Sequence, residues 1–166
     1  MNRILKAKHW QIFILLIIGL IIGNINIENS PTLNVVLLLI GILVYMIYPF
    51  LIGIELQEYV PKEIKLNPNL FIFNSLIWFL FYSVTMILTD GKGYMFTGIL
   101  AIPFFYVFYA IVHFLSFPVK TLKSIEMSQK AKFKDYVGDF LLIIFLPIGI
   151  WFLQPRINNA IMSNDE

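Results

Sequence analysis

Residues 33–54 read LNVVLLLIGILVYMIYPFLIGI and contain no charged side chain. A helix needs about 20 apolar residues to cross the roughly 30 Å hydrocarbon core of a bilayer, so this stretch is long enough to span a membrane. The 166-residue chain has the same character throughout, since 59% of its residues are hydrophobic and 13% are charged. A soluble domain carries roughly 25% charged residues. We therefore expect an integral membrane protein.

Four further apolar segments flank this stretch, at residues 10–27, 70–88, 94–117 and 137–153. Together the five segments leave no room for a separate soluble domain, so residues 1–166 are expected to form a single integral membrane domain. The predicted fold class is all-α. We expect a polytopic helical membrane bundle of four long spans and a short fifth segment that is broken by Pro147.

The fifth segment allows two arrangements. As one straight helix its 17 residues would rise about 25 Å, slightly less than the hydrocarbon thickness. A spanning helix would place the C-terminus on the side opposite to the N-terminus, whereas a re-entrant hairpin turning at 147–149 would return it. We expect the spanning helix.

Basic residues are distributed unequally between the two sides of the predicted bundle. Ten lysines and arginines fall on the side of the N-terminus and two, Lys92 and Arg156, on the other. Because cytoplasmic loops of membrane proteins are enriched in Lys and Arg, we expect the N-terminus and the long loop before the fifth segment to be cytoplasmic.

This long loop, residues 119–136, has its apolar side chains within one sector of a helical projection. One interpretation is an amphipathic helix on the inner membrane surface whose lysines meet anionic lipid headgroups. The other is a solvated connector. The lysines concerned are Lys120, Lys123, Lys130, Lys132 and Lys134.

The composition argues against several kinds of chemistry. Without cysteine the chain has no disulfide, thiolate nucleophile or Cys-ligated metal. No Asp, Glu, Lys or Arg lies within the first four apolar segments, which makes ion-coupled transport less favoured. The small net charge of +2 does not suggest nucleic-acid binding. We predict no catalytic residue, cofactor or metal.

A few polar side chains remain as candidate contacts to a partner or ligand. His113, within an apolar segment, is expected to make an interhelical hydrogen bond near Ser116, and Asn74 to face another helix. Arg156 can grip a carboxylate or a phosphate with two parallel hydrogen bonds. The full set of candidates is His9, Gln11, Asn74, His113, Gln154, Arg156 and Asn158.

Gly19 and Gly23 form a GxxxG spacing in the first segment. This spacing places two glycines on one helical face and lets another helix approach closely. We expect it to serve packing inside the bundle rather than dimerisation.

Two terminal strings, LKAKHWQ at 5–11 and IGIWFLQPRIN at 148–158, resemble small multi-pass membrane proteins of Bacteroidota. The resemblance covers about 20 of the 166 residues and is confined to the two ends. It implies a bacterial inner (cytoplasmic) membrane. It implies no activity, cofactor or partner.

Three functions are compatible with these features, in the following order. The first is a non-enzymatic accessory, assembly or regulatory subunit that acts through partners. The second is a transporter or channel for a small or lipid-like solute, in which Pro49, Pro103 and Pro147 would break three helices. The third is a lipid-modifying membrane enzyme with acid–base groups drawn from His9, His113, Glu55, Glu58, Asp90, Asp135 and Asp139.

Overall fold

The computed structural model describes residues 4–93 and 97–165, and within these ranges it is built from helices and loops without a strand. Three helices are long and apolar enough to cross a membrane: the second, continued through Tyr59, the third and the fourth. This confirms an all-helical protein of membrane type, but not the count of five spans. The α-helices are α1 (His9–Gly23), α2 (Pro31–Glu55), α3 (Pro68–Leu88), α4 (Ala101–Glu126), α5 (Phe133–Ile144) and α6 (Leu146–Asp165), with short 3-10 turns at Leu56–Tyr59 and Gly98–Leu100.

Helix α1 is shorter than the predicted segment 10–27. It ends at Gly23, and its 15 residues rise about 22 Å. The following loop is held by Asn34, whose side-chain oxygen accepts a 2.7 Å hydrogen bond from the Ile27 N–H and whose nitrogen donates to Asn26 Oδ1 at 2.8 Å. Side-chain hydrogen bonds of asparagines thus stabilise a folded loop at this end of the bundle, where the predicted segment would have continued as a helix.

The GxxxG spacing packs α1 against α2, as expected from the sequence. A Cβ atom at Gly19 would lie 2.9 Å from the Gly41 carbonyl oxygen, and one at Gly41 would collide with the backbone of Gly23. Gly19 and above all Gly41 therefore let the two backbones touch, whereas a Cβ atom at Gly23 would be in ordinary van der Waals contact with Gly41.

Residues 119–136 do not form one amphipathic helix, so this interpretation of the long loop is wrong. Helix α4 continues to Glu126, residues 127–132 form a loop and α5 starts at Phe133. The apolar sector is used for packing within the protein, because Leu122, Ile125 and Tyr136 are buried. Phe133 remains exposed.

The fifth segment, 137–153, is not one spanning helix. Its residues are divided between α5 and α6, which meet at Phe145. Asp139 and Arg156 form an ion pair, although a continuous helix would hold their Cα atoms about 25 Å apart. The chain therefore reverses direction in a helical hairpin, and Gly149 makes room for the Leu142 carbonyl where the two helices touch.

The position of Pro147 explains why the reversal lies about one turn before residues 147–149, where the sequence placed the turn of a re-entrant hairpin. Pro147 is the second residue of α6 and Pro103 the third of α4, positions in a first turn where the missing N–H has no partner to lose. Of the three prolines that the transporter hypothesis uses, Pro49 alone lies in a helix interior. Pro118 and Pro155 lie inside α4 and α6.

Two apolar clusters make up the core. The larger one joins α1 and the C-terminal halves of α2 and α4 to the α5–α6 hairpin, around residues such as Tyr48, Leu122 and Ile150. The smaller one lies between α3 and α4 and is aromatic, with Phe71 stacked on Phe114 at 5.7 Å and on Phe117 at 4.6 Å. The polar groups described below lie in or beside these two clusters.

Candidate functional site

Gln154 of α6 joins the C-terminal helix to the chain that precedes α1. Its side chain is completely buried. The amide nitrogen lies 3.1 Å from the Ile4 carbonyl oxygen, 3.2 Å from that of Leu5 and 3.0 Å from that of Ala7. These carbonyls precede the first helix, and the glutamine supplies a buried donor for them in addition to the 3.2 Å hydrogen bond that the Ile4 carbonyl accepts from the Ala7 N–H.

The oxygen of the same amide accepts a hydrogen bond from Tyr48 on α2. The Tyr48 hydroxyl lies 2.8 Å from Gln154 Oε1 and is itself fully buried. Asn158, one turn further along α6, also contacts the Gln154 amide, at 2.9 Å. We use the name terminal latch for Tyr48, Gln154 and Asn158 together with the carbonyls of Ile4, Leu5 and Ala7.

Arg156 binds two carboxylates from different helices. Its guanidinium donates to Glu126 at the end of α4 through two bonds of 2.8 Å, and to Asp139 of α5 at 2.5 and 2.9 Å. The hydrogen bonds that Arg156 donates to Asp139 and Glu126 raise its pKa above the ordinary value, because both stabilise the charged form. The bidentate hydrogen bonding expected for Arg156 is thus made to carboxylates of the same chain.

His9 and Gln11 also have partners within the chain. The His9 ring lies 4.6 Å from the ring of Trp151 on α6. Gln11 accepts a 2.9 Å hydrogen bond from the Lys8 N–H, which closes the first turn of α1. His9 thus packs the start of α1 against the hairpin and Gln11 caps the helix, and a ligand role for either stays a prediction.

Asn74 and His113 meet between α3 and α4. Asn74 Nδ2 lies 3.1 Å from His113 Nδ1, and the Tyr106 hydroxyl donates to Asn74 Oδ1 at 2.9 Å. The interhelical contact expected for both residues is confirmed, whereas Ser116 donates to the His113 carbonyl rather than to its ring. Because Asn74 is fully buried, this network ties the two helices together.

The N-terminal half of α4 carries a feature that the sequence reasoning missed. Five of the six residues at 104–109 are aromatic, and each is between 41% and 71% exposed. The run FFYVFY in a predicted span could have drawn attention to it. Tyr109 is 48% exposed, and its hydroxyl makes no hydrogen bond to the part of the chain that the structure describes.

Two cavities open between α2, α3 and α4 and share the side chains of Met46 and Trp78. One is about 320 Å³ and the other about 430 Å³, and both have mainly apolar linings. Neither is lined by Asn74, His113 or Arg156. Those three residues are therefore engaged with other side chains instead of facing either cavity.

Among the ionisable groups proposed for an enzyme, His113 lies apart from the carboxylates near the end of α4. Thirteen residues of α4, about 20 Å, separate His113 from Glu126, where Arg156 and Asp139 converge. Within residues 4–93 and 97–165 no three His, Asp or Glu side chains are grouped as metal ligands. The described part of the chain thus shows no acid–base cluster around His113.

Comparisons with protein-family models, with curated proteins and with solved structures found no match to this chain. A function must therefore be argued from the residues themselves. The described structure has the terminal latch, a polar contact between α3 and α4, and exposed aromatic side chains on α4, a helix long and apolar enough to cross a membrane.

Proposed function

We propose that the protein is a multi-pass inner-membrane subunit without enzymatic activity, which acts by binding a partner membrane protein through the exposed aromatic half of α4. The observation that carries the proposal is the exposure of the aromatic side chains at 104–109, of which Phe105 is the most exposed. Aromatic residues are enriched at protein interfaces, where they bury a large area at small entropic cost.

Tyr109 supports a protein partner over lipid alone. It follows Ala101, the first residue of α4, by eight residues, or about 12 Å along the helix. A half-exposed phenol at this depth faces hydrocarbon, where an unpaired hydroxyl costs free energy. Tyrosines facing lipid usually lie at the membrane surface, so a hydrogen-bonding partner helix suits this position better.

The polar groups at depth argue against the transporter as the first choice. The Asn74–His113 pair is satisfied within the chain, and the two cavities described have mainly apolar linings. A path for a polar solute needs polar groups facing an open space. The accessory role needs only an exposed binding face, which α4 has.

The proposed orientation places the N-terminus, the loop at 127–132 and the C-terminal part of α6 in the cytoplasm of a bacterium. The charge bias supports it, since the positive-inside rule applies to the short loops that carry these lysines. The helical hairpin adds Arg156 to the basic side, because the ion pair with Glu126 holds it at the end of α4.

Photocrosslinking in cells tests the partner. We expect a photoreactive residue in place of Phe105 to give a discrete protein adduct, and the same residue in place of Ile21 on α1 to give none. The two side chains are 71% and 60% exposed, so the control matches the exposure. A Phe105 probe that reacts with lipid alone would refute the proposed interface.

A pair of double variants measures how much the face contributes. Phe105→Ala with Phe108→Ala should abolish co-purification of the crosslinked partner in mild detergent. Ile14→Ala with Ile21→Ala removes comparably exposed side chains from α1 and should leave co-purification unchanged. Equal losses in the two variants would contradict a specific role for α4.

A further inference from the structure

The buried hydroxyl of Ser124 fixes the loop that follows α4. Ser124 Oγ donates to the Lys120 carbonyl at 2.7 Å and accepts a 3.1 Å hydrogen bond from the Ala131 N–H. Both Ser124 and Ala131 are buried. The loop residues 127–131 are therefore folded back onto the last turns of α4.

This arrangement brings two lysines together. Lys120 lies on the turn whose carbonyl Ser124 binds, and Lys130 directly precedes Ala131. Lys130 is close enough to repel the Lys120 ammonium electrostatically. In the described residues neither lysine has a carboxylate within ion-pair distance, whereas Lys123 is paired with Glu126 at 3.3 Å.

The length of α4 leads us to expect the lysine pair at the level of the lipid headgroups. Lys120 follows Ala101 by 19 residues, which is about 28 Å along α4 and close to the thickness of the hydrocarbon core. A helix that enters the core at Ala101 thus reaches the opposite surface at Lys120. Two cations that a fixed loop holds together there repel each other unless an anion lies between them.

We propose that Lys120 and Lys130 form a binding site for the phosphate of an anionic membrane phospholipid. Ser124 positions the two lysines and does not itself touch the lipid. This site narrows the broader expectation for the five loop lysines to one preorganised pair, and it does not depend on the partner proposed for α4.

Native mass spectrometry of the full chain tests the site, with phosphatidylglycerol as the probe and phosphatidylcholine as the neutral reference. The wild-type protein should retain one phosphatidylglycerol in preference to phosphatidylcholine. Lys120→Gln with Lys130→Gln should weaken that binding by about 25-fold, because each lysine near an anionic headgroup contributes about a fivefold factor. Lys62→Gln with Lys65→Gln removes the same charge from an exposed loop and should change binding by less than threefold.

Ser124→Ala and competition by free inorganic phosphate distinguish a preorganised lipid site from diffuse attraction and from a site for free phosphate. Ser124→Ala keeps every charge but releases the loop, so it should weaken phosphatidylglycerol binding at least fivefold while the helical circular dichroism stays at its wild-type value. Equal weakening in the two lysine pairs would show diffuse attraction and overturn the proposal. Displacement of the lipid by millimolar inorganic phosphate would also overturn it, because the site would then bind free phosphate.

Discussion

Replacing Gln154 with leucine tests whether the terminal latch stabilises the fold. Leucine has nearly the volume of glutamine but cannot hydrogen bond. The amide nitrogen of Gln154 has two hydrogens, so at most two of the surrounding oxygens are bonded at once, and its oxygen accepts the bond from Tyr48. The substitution therefore removes about three buried hydrogen bonds.

The expected loss is about 3 kcal/mol, since each such bond contributes about 1 kcal/mol and the buried Tyr48 hydroxyl is left unpaired. For a chain of this size the midpoint of thermal unfolding should fall by roughly 10 °C. Denaturant titration in mixed micelles, followed by helical circular dichroism, measures the free energy of unfolding. Asn159→Leu is the control, because it removes an exposed amide from the same helix.

A double-mutant cycle with Tyr48→Phe isolates the side-chain contact. Either single substitution leaves the other member of this contact without its partner, whereas the double substitution removes both members. The double variant should therefore be about 1–2 kcal/mol more stable than the sum of the single effects predicts. Strict additivity, or a Gln154→Leu protein that unfolds within 2 °C of the wild type, would refute the latch.

Three further outcomes are expected. Gly41→Ala should destabilise the protein by about 1–3 kcal/mol, since its methyl group meets backbone of α1, whereas Gly138→Ala, in open space on α5, should stabilise it by up to about 1 kcal/mol, both measured by the same titration. Arg156→Gln should cost about 1–2 kcal/mol, and less at high salt because the guanidinium is about one-third exposed. In this cysteine-free chain, single cysteines at Lys92 and Asn159 should react with an impermeant maleimide from opposite sides of the membrane; labelling from one side would contradict the hairpin.

Local sequence patterns predicted the helices well where a long uninterrupted apolar stretch defines the helix. Residues 33–54 became the core of α2, and 70–88 became α3 with a start two residues earlier. The pattern was less informative where the chain stops being helical. The last four residues of segment 10–27 belong to a loop that Asn34 of the next helix stabilises, through a contact that the apolar pattern does not encode.

The sequence predicted the type of several polar contacts but not the residues with which they are made. Asn74 and His113 were each expected to bond across helices, and they bond to each other. The grip of Arg156 was expected, but pairing with both Glu126 and Asp139 requires α4, α5 and α6 to converge. No spacing along the chain encodes that convergence, because the residues are brought together by the reversal at Phe145.

The sequence alone determined that this is an all-helical protein of membrane type, because apolar length and the absence of charge are local properties that act through transfer from water to hydrocarbon. It also predicted close packing at Gly19 and Gly23, although the structure was needed to identify Gly41 of α2 as the small residue opposite them. Tertiary structure alone decided that residues 137–153 fold back as a hairpin. Helix formation is compatible with either direction after Phe145, and the choice depends on contacts that Arg156 and Gln154 make with residues far away in the chain.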